Sequence, residues 1–188
     1  QPERLQAFAF EGSTGALRWG PRLFSDTDWN VNAWLRLASD PIGDFVATMG
    51  GQPGGGHVVK LSGANGDRLW ESRVNGISII DIAVDHAGNV LAVGSGGPGG
   101  EWAVVKLSGA DGRPLWGPVV EVGRSLRARL LTVAQDDDVV VAGSEQRRLP
   151  GGDAESWVVA RYESGDGSRV WGPVRDEGGE CLGPDSTT

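Results

Sequence analysis

The side chains able to do chemistry are few: two histidines, His57 and His86, one cysteine, Cys181, and a run of three aspartates, Asp136, Asp137 and Asp138. A Ser-His-Asp or zinc site needs imidazole and its partners to converge. His57 opens the apolar run "HVVKL", whereas His86 falls in the turn "DHAGN" of a different connection, so the pair points to surface or edge histidines. Three consecutive carboxylates offer the oxygen ligands that Ca²⁺ takes, but they lack EF-hand spacing and read as a solvated acidic turn. A literal GxGxxG at Gly94, Gly96 and Gly99 follows an apolar run, as a dinucleotide fingerprint would. Pro98 then interrupts it and Trp102 opens another apolar run, which leaves no helix N-terminus to hold a pyrophosphate. Cys181 leaves three readings open: a free thiol, a crosslink to another chain, or half of a disulfide with a partner elsewhere. From these residues no catalytic group, metal site or cofactor is expected.

The elements that position these side chains come from a repeat. "EGSTGALRW" ends at Trp19, "SGANGDRLW" at Trp70, "SGADGRPLW" at Trp116 and "SGDGSRVW" at Trp171, each with a glycine four residues before the Trp. The Trp spacings are 51, 46 and 55 residues, and three of the four copies continue as "WGP". Asn65-Gly66, Asp111-Gly112 and Asp166-Gly167 supply the positive φ that a tight hairpin turn needs. Apolar runs flank each of them ("HVVKL", "WAVVKL", "WVVARY"), and a second hairpin recurs in every period, as in "ISIIDIAVDHAGNVLAVGS". Each period therefore holds four short strands, A to D.

Four-stranded antiparallel units at this period define an all-β fold, the β-propeller, in which every sheet packs both faces on its neighbours. The expected parts are a C-D half-blade at 5–24, blades at about 31–75, 76–122 and 125–175, and a polar tail at 175–188. A and B strands, small and β-branched, suit the crowded centre. The recurring Trp should be largely buried between blades in all four copies. Lys60, Lys106 and Arg161 share one position on strand C and read as outer-edge charges that guard against edge pairing.

Composition excludes several partner classes. A net charge of −8, with no local basic cluster, repels phosphate backbones, so nucleic acid is not an expected partner. The longest apolar runs fall far short of the roughly 20 residues of a membrane helix, so membrane insertion by a helix is not expected.

The Gly-x-x-x-Trp endings resemble the docking motif of the quinoprotein (PQQ-like) propeller repeats. The step "AVDHAGNVLAVG" at 83–94 is similar to that of bacterial seven-bladed β-propeller repeats. The resemblance implies a bacterial, extracellular or periplasmic setting and a non-enzymatic binding or scaffold module. Its enzymatic alternative is part of a PQQ-dependent dehydrogenase, which needs cationic and metal-binding groups at the propeller centre, and no residues here match them motif by motif.

In an up-and-down blade the B-C and D-A connections share one face, and here they vary: "SDTDWNVN" carries Trp29, and "GSEQRRLPGGDAES", expected as a long loop, carries Arg147 and Arg148. Variable loops on a rigid frame are where binding residues usually sit, so Trp29, Arg147 and Arg148 are the candidate binding residues. Three and a half blades do not make a ring, for which 4 to 8 are usual. The expected partner is another polypeptide, or a missing N-terminal segment, that supplies the remaining blades. Two copies are not expected to serve, since each lacks one A-B pair.

Overall fold

The computed structural model describes residues 6–23, 35–49, 55–96, 101–121, 126–149 and 152–175. Within them are fourteen strands in four antiparallel sheets. A two-stranded sheet joins β1 (Gln6–Phe10) and β2 (Leu17–Leu23). The second sheet runs in order through β3 (Leu35–Ser39), β4 (Phe45–Met49), β5 (Gly56–Leu61) and β6 (Arg68–Val74). The third holds β7 (Ile77–Val84), β8 (Val90–Gly96), β9 (Glu101–Leu107) and β10 (Pro114–Glu121). The fourth holds β11 (Leu126–Val133), β12 (Val139–Leu149), β13 (Gly152–Tyr162) and β14 (Arg169–Arg175). These are propeller blades: a C-D half-blade, then blades 1, 2 and 3. The closest approaches between blades 1, 2 and 3 are dominated by their first strands, which sets the A strands innermost.

Alternation explains the packing. Strands B and C are apolar on both faces because each face meets a neighbouring blade. Val46 and Val58 of blade 1 look forward onto Ile77, Ile79, Val105 and Leu107 of blade 2. Leu91, Val93 and Val104 of blade 2 look forward onto Val139, Val158 and Tyr162 of blade 3. Ala7 of the half-blade packs on Ala47, Val59 and Leu61 of blade 1. Gly94 sits where a Cβ would lie 2.0 Å from the Ser78 carbonyl oxygen, so the glycine that opens the GxGxxG permits close pairing with β7. Gly94 and Gly96 lie on β8, Gly99 lies outside the described residues, and the next described element is strand β9.

The Trp copies differ from expectation at one position. Trp19, Trp70 and Trp116 are 8–9% exposed, but Trp171 is 41% exposed. The reason is geometric: each buried indole is covered by the blade that follows it, and among the described residues no blade follows β14. Trp70→Ala and Trp116→Ala should each lower stability by about 3–5 kcal/mol, as truncation of a buried aromatic does. Trp171→Ala should cost under about 1 kcal/mol in the isolated chain. Urea unfolding followed by circular dichroism checks both.

Candidate functional site

The best-defined polar geometry lies at the joints between blades, on the face that carries the A-B and C-D turns. Trp19 Nε1–H donates to the Gly63 carbonyl at 3.0 Å, Trp70 Nε1–H to Gly109 at 3.0 Å, and Trp116 Nε1–H to Ser164 at 3.0 Å. Three residues beyond each acceptor stands a glycine with φ near +74° (Gly66, Gly112, Gly167), and the indole lies on it. A Cβ there would come within 2.5–2.7 Å of the ring. The glycine therefore serves the turn and also leaves room for the indole of the preceding blade.

Beside two of the three joints runs a buried lysine. Lys60 Nζ lies 2.8 Å from Asp40 Oδ2 and donates to the Gly109 carbonyl at 3.0 Å. Lys106 Nζ repeats this, 2.9 Å from Asp85 Oδ2 and 2.9 Å from the Ser164 carbonyl. Both lysines are 6% exposed. The reading of Lys60, Lys106 and Arg161 as outer-edge charges is thus wrong for the lysines: each bridges its own A-B turn to the C-D turn of the next blade. Burial alone would raise the Asp40 pKa, but the Lys60 hydrogen bond, backbone N–H donors from Asp44 and Ile42 and the Lys60 charge hold it below the ordinary carboxylate value.

Blade 3 changes the residues and keeps a cation against acid. Ala134 stands where Asp40 and Asp85 stand, and Arg161 replaces lysine. Arg161 reaches Asp138 through Nε at 2.8 Å and Asp136 through its terminal amino group. Asp137, at φ 67°, accepts from the His86 backbone N–H at 3.0 Å, and its Oδ1 lies 2.6 Å from His86 Nδ1. These contacts hold the Asp137 carboxyl below its usual range. The acidic turn is solvated at Asp136, and each of its three carboxylates also meets a cation or a donor. His57, on β5, has Nδ1 3.3 Å from Glu71 Oε1, and the two histidines occupy separate places as the sequence indicated.

The centre tests the quinoprotein alternative. Asp81 is the sole carboxylate on the inner strands β3, β7 and β11. Its Oδ2 accepts from the Leu131 backbone N–H at 2.9 Å, and Oδ1 lies 3.5 Å from Arg36 Nε. One carboxylate ties three blades together. With both oxygens engaged and no second acid on these strands, the described centre does not fit the metal-supported cofactor of a quinoprotein.

Of the residues expected to bind a partner, Trp29 lies outside the described residues. Arg147 and Arg148 are not on a loop. β12 and β13 continue as an unbroken ladder from Val139↔Tyr162 to Leu149↔Gly152, with Arg147 opposite Ala154 and Arg148 opposite Asp153. The neighbours stop earlier: β11 last pairs at Glu145 and β14 at Val158. Among the described residues the β12–β13 ladder therefore continues four residues past its last β11 pair, about 13 Å at 3.3 Å per residue. Arg175 pairs with Glu145 at the base, Nε to Oε2 at 2.5 Å. The segment lacks an apolar alternation, and this is why the sequence presents it as a loop. Cys181 lies outside the described residues.

No family model and no curated protein matches the chain. Among solved structures it is similar to BamB from Moraxella catarrhalis at 15% identity and a TM-score of 0.44, covering 81% of this chain and 40% of that one. It is also similar to a protein described as an exo-β-1,3-galactanase from Bifidobacterium bifidum, at 11% identity and a TM-score of 0.45, covering 88% of this chain and 60% of that one. The chain thus spans less than two thirds of either. The propeller assignment rests on its own sheets and joints.

Lys106→Ala leaves Asp85 buried without its cation and should destabilise by about 3–5 kcal/mol, measured by urea unfolding. Asp40 supplies a pH test. Its folded pKa is depressed, so its contribution is present above the unfolded value of about 3.9 and is lost as pH falls through the folded value. The stability gap between the native chain and Asp40→Asn should therefore be widest above about pH 5 and narrow on acidification.

Proposed function

We propose that the chain is a non-enzymatic β-propeller module that binds a macromolecular partner through the face carrying the extended β12–β13 hairpin, in an extracellular or periplasmic compartment. The observation that carries the reading is the hairpin itself. In the described blades the C-D turns are near-copies held by one joint, whereas this arm departs from the repeat. It presents Arg147 and Arg148 on a backbone stiffened by cross-strand pairing, so little ordering entropy opposes contact. Trp29 belongs to the D-A connection expected on the same face and would add an aromatic anchor, a residue type that partners with Arg in binding hot spots. Cationic side chains on a chain of net charge −8 favour an acidic or carboxylate-rich partner. The compartment rests on the resemblance of the repeats to bacterial envelope propellers.

A photo-crosslinking amino acid placed at Trp29, Arg147 or Arg148 should give discrete adducts in producing cells. The same probe at Ile42, exposed on the opposite turn face, should not. Adducts from Ile42 alone would overturn the reading. Addition of PQQ with Ca²⁺ should leave the absorbance spectrum of the mixture equal to the sum of its parts.

A further inference from the structure

The outer strands of the blades are not alike along their outward edges. In β2, β10 and β14 the Trp is followed by Gly-Pro, and there the ladder to strand C slips by one residue, between Ala7 and Ala9, Trp116 and Val119, and Val159 and Arg161. A proline offers no N–H and a bulge twists the edge away, two devices that keep an outer strand from accepting another. β6 has neither. Glu71, Ser72 and Arg73 follow Trp70, and the ladder runs without a break from Lys60↔Trp70 to Gly56↔Val74. Among the described residues no strand pairs with its other side. Blade 1 therefore carries a regular edge over Trp70–Val74, the kind of template that strand addition uses.

The side chains decide what fits there. Trp70 and Val74 are buried against blade 2, whereas Glu71 and Arg73 are exposed on the other face of the strand. Glu71 holds Arg68 at 2.8 Å and lies 3.3 Å from His57, but Arg73 has no ion-pair partner among the described residues. A two-fold axis normal to a sheet centres an antiparallel pair on one residue, because residues of the same face must meet. Centred on Trp70 or Val74, two copies of β6 run off the regular segment. Centred on Glu71 or Arg73, they set like charges opposite each other. Centred on Ser72, each Glu71 lies opposite Arg73 of the second copy and each Trp70 opposite Val74, so charges and faces match at every pair.

We propose that two copies of this chain pair through β6, antiparallel and centred on Ser72, so that their blade-1 sheets join into one continuous sheet across a two-fold axis. The charges choose the occupant as well as the register. Arg73 finds in Glu71 of the second copy the acid it lacks in its own chain, and that Glu71 brings Arg68 and His57 into the same network. The pairing uses the outer rim of the propeller and leaves the number of blades in the ring untouched. It rests on the edge of blade 1, not on the partner-binding reading above.

Native mass spectrometry and light scattering of the whole chain test it. A short edge makes a small interface, so association is followed up to hundreds of micromolar. The expected mass is twice 19.7 kDa. Arg73→Glu and Glu71→Arg each set like charges opposite one another at both ends of the pairing, and each should weaken association by about 10-fold or more. Mixed, the two variants should form a one-to-one pair about as tight as the native one, since together they restore unlike charges at both positions. Arg73→Glu removes no ion pair of the single copy, so it should keep the native circular dichroism spectrum and carries the test even where Glu71→Arg fails to fold. A native chain that stays at the single-copy mass leaves the edge to a foreign strand or to none, and overturns the proposal. So does a dimer that Arg73→Glu leaves unweakened, or a mixture of folded variants that pairs no better than either alone.

Discussion

Everything in this fold hangs on one contact: an indole on strand D that lies on a bare glycine of the next blade and donates its N–H to the carbonyl three residues earlier. The contact sets several quantities at once. It fixes the radius at which neighbouring blades meet, because the ring plane stops against the turn. It fixes their order, because the indole belongs to one blade and the glycine to the next. It satisfies a buried donor and acceptor together, avoiding the penalty that either would incur alone. The buried lysine beside it shares the same carbonyl at two of the joints, so charge and hydrogen bond converge on one backbone atom. The apolar faces are then held at close range, and the inner strands are locked through Asp81.

The joint also explains how the repeat tolerates variation. Where Asp40 and Asp85 give way to Ala134, the neutralising carboxylates move to Asp136 and Asp138 of the same turn, and lysine becomes arginine, which reaches both. What persists is a cation held against acid at the mouth of strand C. His86 and Asp137 add a link between adjacent A-B turns in the only place where both residue types occur at that position.

The frame was legible in the sequence because its determinants are local: Gly four residues before Trp, turn dipeptides, and apolar runs of strand length. Those features place all fourteen strands. The burial of Lys60 and Lys106 was not legible, since a lysine on a strand gives no sign of the carboxylate that an unrelated turn brings to it. Exposure of Trp171 was missed for a related reason: four equal motifs do not have equal neighbours. The β12–β13 arm was misread as a loop because binary patterning reports only strands that bury a face. Arg147 and Arg148 were singled out by their position in a variable connection, and the structure places them on the paired backbone of β12, which the pattern did not show.

The most direct test of the joint is amide-type hydrogen exchange at the indole nitrogens, read in a ¹⁵N-edited spectrum of the chain in dilute solution. The Nε1–H signals of Trp19, Trp70 and Trp116 should exchange slowly and together, near the rate of global opening, whereas Trp157 and Trp171 should exchange quickly. Protection of Trp171 equal to that of Trp70, or exchange at Trp70 and Trp116 as fast as at Trp157, would contradict the account.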